Sequence, residues 1–280
     1  MDYDLVVIGG GAGGMGSARA SVRRGKRTVL IQDGPIGGDC TFTGCVPSKA
    51  LISAAAKGLP FATAMRRART ATEIIAATED TDVFGKEGID VIDGRARFVA
   101  KDAVEVDGTR IEADRFVIAT GGGPAVPPIP GLRELKHITS DDVWDMKDLP
   151  PRLAVLGGGA IGCELAQTFA RLGSTVTIVE ALDRLLAMEE PEASHVVETV
   201  FRREGVDVRT GQKVVGVEAS GPDGKATITV EGGAAIECDA VLVAIGRRPV
   251  TEGLRPEQGG VEFDERGSFA PTTTCRRRRR

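Results

Sequence analysis

Tyr3-Asp4-Leu5-Val6-Val7-Ile8-Gly9-Gly10-Gly11-Ala12-Gly13-Gly14 is the stretch on which the fold turns. A short, largely apolar run, read as a strand, feeds a G-x-G-x-x-G pattern at Gly9, Gly11 and Gly14, and a helix is expected over about residues 13–24. A turn at Gly25 and a second strand, 28–31, follow, with Gln32 at its end. The first glycine permits a tight strand-to-helix turn. The second leaves room for a pyrophosphate to approach the backbone, and the third lets helix and strand pack closely. The helix start then offers unpaired N–H groups and partial positive charge to phosphates. One such motif is weak evidence, because three glycines also make an ordinary tight turn. Here the plan recurs. Strand 153–156, Gly157, Gly159, Gly162, a turn at Gly173, strand 176–179 and Glu180 repeat the order, with each marker residue 148 positions beyond its counterpart. Two copies, each with 18 residues from the last glycine to the strand end, predict two dinucleotide-binding units.

Outward from the motifs, both halves close alike. Phe116-Val117-Ile118-Ala119-Thr120-Gly121 parallels Val241-Leu242-Val243-Ala244-Ile245-Gly246, each a buried-looking strand ending in a glycine turn. Between opening and closing strands lie short alternating runs. They fall at 96–99, 103–106 and 109–111 in the first half, and at 214–218, 226–230 and 235–238 in the second. Asp-Gly and Gly-Gly turns separate them, which predicts a small antiparallel meander in each unit. The expected fold class is α/β, with two Rossmann-like dinucleotide-binding domains, each carrying an inserted antiparallel β-meander. Four prolines within 121–130 make a stiff connection between the halves.

The composition agrees. At roughly 150 residues per domain, 280 residues give about two domains, and 41% hydrophobic residues suffice for packed cores. Glycine reaches 37 residues, nearly twice a typical ~7% share, as a fold full of glycine turns requires. No run of about 18 apolar residues predicts a membrane span, and Met1 leads directly into a strand without a signal-like segment. The five cysteines, Cys40, Cys45, Cys163, Cys238 and Cys275, are odd in number and sparse. They fit a reducing cytoplasm, where a close pair is catalytic rather than structural. The net charge of −4 becomes −9 without Arg276–Arg280, so nucleic acid is not an expected general partner. The arginine run itself reads either as a nucleic-acid or targeting patch or, more simply, as a dispensable tail unrelated to the fold.

Gly37-Gly38-Asp39-Cys40-Thr41-Phe42-Thr43-Gly44-Cys45-Val46-Pro47-Ser48-Lys49 carries the close pair. Five residues on a regular helix rise about 7.5 Å, beyond the ~7 Å Cα limit for a disulfide. A bond between them needs a distorted turn, which Gly44 permits, and Pro47 suits a helix's first turn. A thiolate at a helix start has a lowered pKa, as a redox cysteine requires. The alternatives are two unrelated buried cysteines or a metal site. The latter is disfavoured because only His137 and His195 could add imidazole ligands, so no metal site is predicted.

Gly-Gly-Asp-Cys-x4-Cys-Val-Pro-Ser-Lys closely resembles the redox signature of the class I pyridine nucleotide-disulfide oxidoreductases, which include dihydrolipoamide dehydrogenase, glutathione reductase and mercuric reductase. The resemblance extends over residues 2 to about 274. It takes in both glycine motifs, Ala119-Thr120-Gly121, Ala244-Ile245-Gly246-Arg247-Arg248-Pro249 and Gly260-Val261-Glu262-Phe263-Asp264. It implies an FAD-binding domain over 1–149, an NAD(P)-binding domain over 150–247, a partial return to the FAD domain over 248–274, and a foreign Cys-Arg tail at 275–280. Hydride would pass from nicotinamide to flavin, and electrons would pass to Cys40 and Cys45 and on to a small disulfide, dithiol or metal-ion substrate. Cys45 would be the flavin-proximal sulfur and Cys40 the interchange sulfur. Lys49 and Glu164 would form an ion pair near the flavin; without the resemblance, Glu164 is an ordinary helix residue.

Gly9, Gly11, Gly14, Gln32, Gly37, Gly38, Lys49, Ala96, Thr120 and Gly121 would hold FAD. Gly157, Gly159, Ile161, Gly162, Glu180, Val214 and Gly246 would hold the nicotinamide dinucleotide. Glu180 favours NAD over NADP, because a carboxylate accepts from a ribose hydroxyl and repels a 2′-phosphate; Arg184, four residues on, could hold such a phosphate. Gln32 stands where the family has Glu, and Asp39 where it has Thr. Family members continue into a Gly-Asp segment and an interface domain with a His-Glu pair that also forms a homodimer. Neither is matched here, so the chain is expected to turn over disulfides poorly. Two further readings are a dinucleotide-binding fragment without turnover and, remotely, an arginine-tail nucleic-acid binder.

Overall fold

The computed structural model describes residues 2–221, 225–232, 235–263 and 269. Asp264, the residues 270–274, Cys275 and Arg276–Arg280 lie outside the described residues, as do the turn glycines Gly224 and Gly233. The strands are β1 (Tyr3–Ile8), β2 (Thr28–Gln32), β3 (Asp90–Asp93), β4 (Arg97–Ala100), β5 (Ala103–Val106), β6 (Thr109–Ile118), β7 (Gly122–Pro124), β8 (Ile138–Thr139), β9 (Arg152–Leu156), β10 (Thr175–Val179), β11 (Asp207–Arg209), β12 (Val214–Ala219), β13 (Ala226–Val230), β14 (Ile236–Cys238), β15 (Ala240–Val243) and β16 (Arg247–Pro249). The helices are α1 (Ala12–Val22), α2 (Gly38–Phe42), α3 (Cys45–Ala56), α4 (Phe61–Ala76), α5 (Thr81–Lys86), α6 (Ala160–Leu172) and α7 (Pro191–Arg203). The chain divides into two compact units. Of the described residues, one holds 2–40, 75–122 and those from Pro249; the other holds Thr41–Ile74 and those of Gly123–Arg248.

The first unit is built on a six-stranded sheet in the order β3-β2-β1-β6-β5-β4. β1 lies between β2 and β6, parallel to both, and its apolar run is continuous because both sheet faces are covered. The period-two alternation sorts the side chains. Val7 and Leu30 join Met15 and Ala18 of α1 on one face, while Val6, Ile8, Val29 and Ile31 join Phe98 and Val104 of the meander on the other. The β5–β6 hairpin turns at Asp107-Gly108, both at positive φ (47° and 82°), the pairing that a two-residue hairpin turn demands.

One expectation is refined here. Residues 109–111 and 116–118, read from sequence as separate strands, form the single ten-residue strand β6. Its first half pairs antiparallel with β5, and the stretch from Ala113 onward pairs parallel with β1. The first meander is therefore continuous with the parallel sheet.

In the second unit the corresponding join is broken at Asp239, between β14 and β15. The Asp239 N–H donates to the Arg152 carbonyl at 2.9 Å. Its carboxylate accepts from Arg152 Nε at 3.0 Å and from the Arg152 backbone N–H at 3.1 Å. That kink leaves β12-β13-β14 as a separate antiparallel sheet beside the five-stranded parallel sheet β11-β10-β9-β15-β8. α6 buries Gly162, Cys163, Leu165, Ala166 and Phe169 at helical spacing and stops at Gly173, whose φ of 111° only glycine adopts readily. α3 packs on α6, and Leu51 and Ala54 of α3 pack with Ala64, Met65 and Ala68 of α4. Among the described residues, no helix is long and apolar enough to cross a membrane.

Candidate dinucleotide and redox sites

The two glycine loops are built alike. A Cβ on Gly9 would lie 2.2 Å from the Ala119 carbonyl oxygen, and one on Gly157 would lie 2.4 Å from that of Ala244. Each first glycine thus rests against the end of the neighbouring strand, β6 or β15. Each third glycine sits under the loop: a Cβ on Gly14 would meet the Gly9 oxygen at 1.8 Å, and one on Gly162 the Gly157 oxygen at 2.0 Å. The middle glycines face open space instead. Gly159 has nothing within 4 Å of an added Cβ, and Gly11 has only the Gly38 Cα at 3.8 Å. No side chain caps α1 or α6, so their first N–H groups stay available to phosphate. These uncapped helix starts beneath open glycines fit a bound dinucleotide in each unit.

The 148-residue repeat reaches into side-chain hydrogen bonding. Gln32 Oε1 accepts from the Gly10 N–H, and Gln32 Nε2 donates to the Asp33 carbonyl at 2.8 Å. At the equivalent place Glu180 Oε2 accepts from the Gly158 N–H at 2.6 Å and Oε1 from the Leu182 N–H at 2.8 Å. Backbone N–H groups thus fix the Glu180 carboxylate while lone pairs remain for ribose hydroxyls. The guanidinium of Arg184 is committed elsewhere. It donates to the carbonyls of Ala187 at 2.8 Å and Glu189 at 3.0 Å, so both of its terminal nitrogens are engaged by its own loop.

A cleft of about 890 Å³ in the second unit is lined by residues 157–161, 179–182, 212–215 and 243–246. It gathers Gly157, Gly159, Ile161, Glu180, Val214 and Gly246, while Gly162 lies buried beneath the loop. Pro127, Pro128 and Pro130 of the proline-rich connection form part of its wall. In the first unit, Gly37 pairs with Gly11 in an isolated bridge, and its N–H donates to the Gly10 carbonyl at 2.9 Å. Gly38, Thr120 and Gly121 lie at the same end of the sheet, with Thr120 N 3.0 Å from a Cβ built on Gly9. Ala96 buries its side chain with Phe98 and Ile31 in the core, so only its backbone is left for a ligand.

Cys40 is half-buried in α2, and Cys45 is the exposed first residue of α3. The Ser48 N–H donates to the Gly44 carbonyl at 3.0 Å, closing the first turn of α3 with no side-chain cap. Lys49, one turn further, places Nζ 2.7 and 2.8 Å from the two Glu164 oxygens. These residues are 60% and 41% exposed, so the pair adds little stability and its value lies in fixing the ammonium. Trp144 carries no motif that would single it out beforehand. Its indole N–H is shared between the carbonyls of Thr43, between the two cysteines in sequence, and Ser140, on the dinucleotide cleft, both at 2.9 Å.

The buried thiols differ from the pair. Burial, helped by the Glu180 charge, pushes Cys163 up to about 12, and burial pushes Cys238 up to about 11. The His137 ring lies 3.1 Å from the carbonyls of both Leu132 and Leu135. Among the described residues, no group of three or more His, Cys, Asp or Glu side chains could hold a metal ion.

The sequence pattern of the pyridine nucleotide-disulphide oxidoreductases matches residues 3–278. A mercuric reductase of Staphylococcus aureus is 35% identical, covering 95% of this chain and 52% of its own length. A glutathione reductase of Burkholderia cepacia is 35% identical, covering 96% of this chain and 62% of its own. The HOCl-induced flavoprotein disulfide reductase RclA from Escherichia coli superposes with a TM-score of 0.87 at 33% identity, over 96% of this chain and 62% of that one. The chain thus spans about half to two thirds of the length of these relatives. On the repeated loops, the cysteine segment and these likenesses, the chain belongs to the pyridine nucleotide-disulphide oxidoreductase family.

Proposed function

We propose that this chain carries the FAD- and NAD-binding core of a cytoplasmic disulfide oxidoreductase acting on a small disulfide, dithiol or metal ion. The doubled phosphate cradle carries the reading: two uncapped helix starts under open glycines, one of them beside a fixed carboxylate. Residues 1–149 take the FAD role, 150–247 the NAD role, and 248–274 return to the FAD domain. Gly9, Gly11, Gly37, Gly38, Gln32, Thr120, Gly121 and the Ala96 backbone hold FAD. Gly157, Gly159, Ile161, Glu180, Val214 and Gly246 hold NAD. Bound FAD supplies a route for two electrons from NADH to the cysteine pair.

The chain's own groups do the rest. Glu164 fixes the Lys49 ammonium, which keeps a third N–H for charge developing beside it. Cys45, the exposed first residue of α3, serves as the second thiol of the pair. Cys40 as thiolate attacks one sulfur of a substrate disulfide and releases the other as a thiolate. Cys45 then attacks Cys40, forming the Cys40–Cys45 bond and releasing the second thiolate. Two electrons leave the pair, and two protons return the released thiolates to thiols.

Calorimetric titration tests the cofactor choice. NADH is expected to bind at least about tenfold tighter than NADPH, the ratio that ~1.4 kcal/mol of charge repulsion at Glu180 produces. Glu180→Ala should bring the two towards parity. Equal or tighter NADPH binding by the wild type would refute the charge argument. An absorption spectrum without flavin bands, even after adding FAD, would count against the FAD role.

A further inference from the structure

We infer that the Gln212 side chain reads the adenine base of the dinucleotide, making the cleft selective for a 6-amino purine. This rests on the NAD reading of the cleft. The sheet order sets the direction along the ligand. Gly159 and the start of α6 stand over central β9, and Glu180 at the end of neighbouring β10 marks the ribose next to the base. The far wall, 244–246, follows β15 on the opposite side of β9. The base therefore lies beyond Glu180, over the end of β11, where Gln212 lines the cleft.

Gln212 is tied into that end by its backbone. Its N–H donates to the Glu180 carbonyl at 3.0 Å, and the preceding Gly211 N–H donates to the Leu182 carbonyl at 2.6 Å. Leu182 and Val215, 54% and 44% exposed, offer apolar surface on the same cleft, suited to a planar base. The side-chain oxygen of Gln212 is buried without a hydrogen-bond partner among the described residues. A buried acceptor left unpaired is costly. The terminal torsion of glutamine is soft, so the amide can turn to a donor entering the cleft. A glutamine amide meets adenine at two points, Oε1 accepting from the 6-amino group and Nε2 donating to N7, whereas hypoxanthine presents acceptors at both places, so neither orientation of the amide satisfies it.

The test uses oxidised ligands, so that no electrons move. NAD and nicotinamide hypoxanthine dinucleotide are titrated calorimetrically into the full chain and into Gln212→Met. The wild type should bind NAD about tenfold tighter than the hypoxanthine analogue. Gln212→Met should bind both at the weaker level, and its melting temperature should not fall, because the variant removes an unpaired acceptor. Equal binding of the two ligands by the wild type, or an undiminished preference in Gln212→Met, would overturn the assignment. The wild-type comparison stands even if the variant fails to fold. A wild type that binds neither NAD nor NADH fails the underlying dinucleotide reading instead.

Discussion

Gly162→Ala is expected to destabilise the chain by about 3 kcal/mol or more, which lowers the melting temperature by roughly 6–12 °C in a chain of this size. The added methyl would sit 2.0 Å from the Gly157 carbonyl oxygen, a backbone atom that cannot swing aside. Helix α6 would have to lift off the loop and carry the phosphate-facing N–H groups with it, so NADH binding should fall with the melting point. Gly14→Ala meets the Gly9 oxygen at 1.8 Å and should do the same to FAD retention while leaving the second cleft intact. Gly16→Ala is the internal control. Gly16 lies in α1 with nothing within 4 Å of an added Cβ, and the change should stabilise by about 0.5–1 kcal/mol. Thermal melts with NADH titrations on the three variants check the set. A Gly162→Ala chain that melts with the wild type and binds NADH equally well would refute the close-contact account.

On the proposed function, replacing either Cys40 or Cys45 by serine is expected to remove whatever NADH-driven disulfide reduction the chain supports, as when the nucleophile of a catalytic unit is removed. Counting reactive thiols on the native chain gives a direct readout. Reduction should expose two more thiols in the wild type and none more in either variant. Cys163 and Cys238 should stay silent at neutral pH, because burial holds both as neutral thiols. Their raised folded pKa values also set a sign. Thiols of the unfolded chain ionise near 9, so these two sites contribute stability below about pH 9 that is lost as pH climbs towards 11 and 12. If Cys40 and Cys45 always titrate as reduced thiols, the redox-pair assignment is wrong.

The repeat was readable because its markers are local: three glycines and a strand-ending residue keep their spacing in both halves. Glu180 was readable for the same reason. The merging of 109–111 with 116–118 was not, because the intervening 112–115 contains three charged residues, Glu112, Asp114 and Arg115, that read as a break yet carry one continuous strand. Arg184 was read as a potential phosphate partner; only the path of 186–189 shows that both of its terminal nitrogens donate to carbonyls of its own loop. Lys49 meets Glu164 across 115 residues, so resemblance rather than spacing supplied the pairing. Trp144 and Gln212 had no signal at all, since each matters through a contact or a missing contact made by distant chain.

Trp144 is the only tryptophan in the chain. Its indole is bonded to the carbonyl of Thr43, inside the four-residue stretch that joins the cysteines, and to Ser140 on the dinucleotide cleft. Ultraviolet emission from this protein therefore comes chiefly from a single ring held by Thr43 and Ser140, both in the second unit. If Cys40 and Cys45 cycle as proposed, the Thr43 carbonyl between them carries the change to that ring, and the colour and yield of its light should shift. On the proposed function, tryptophan emission is thus expected to follow the redox state of the pair without any label.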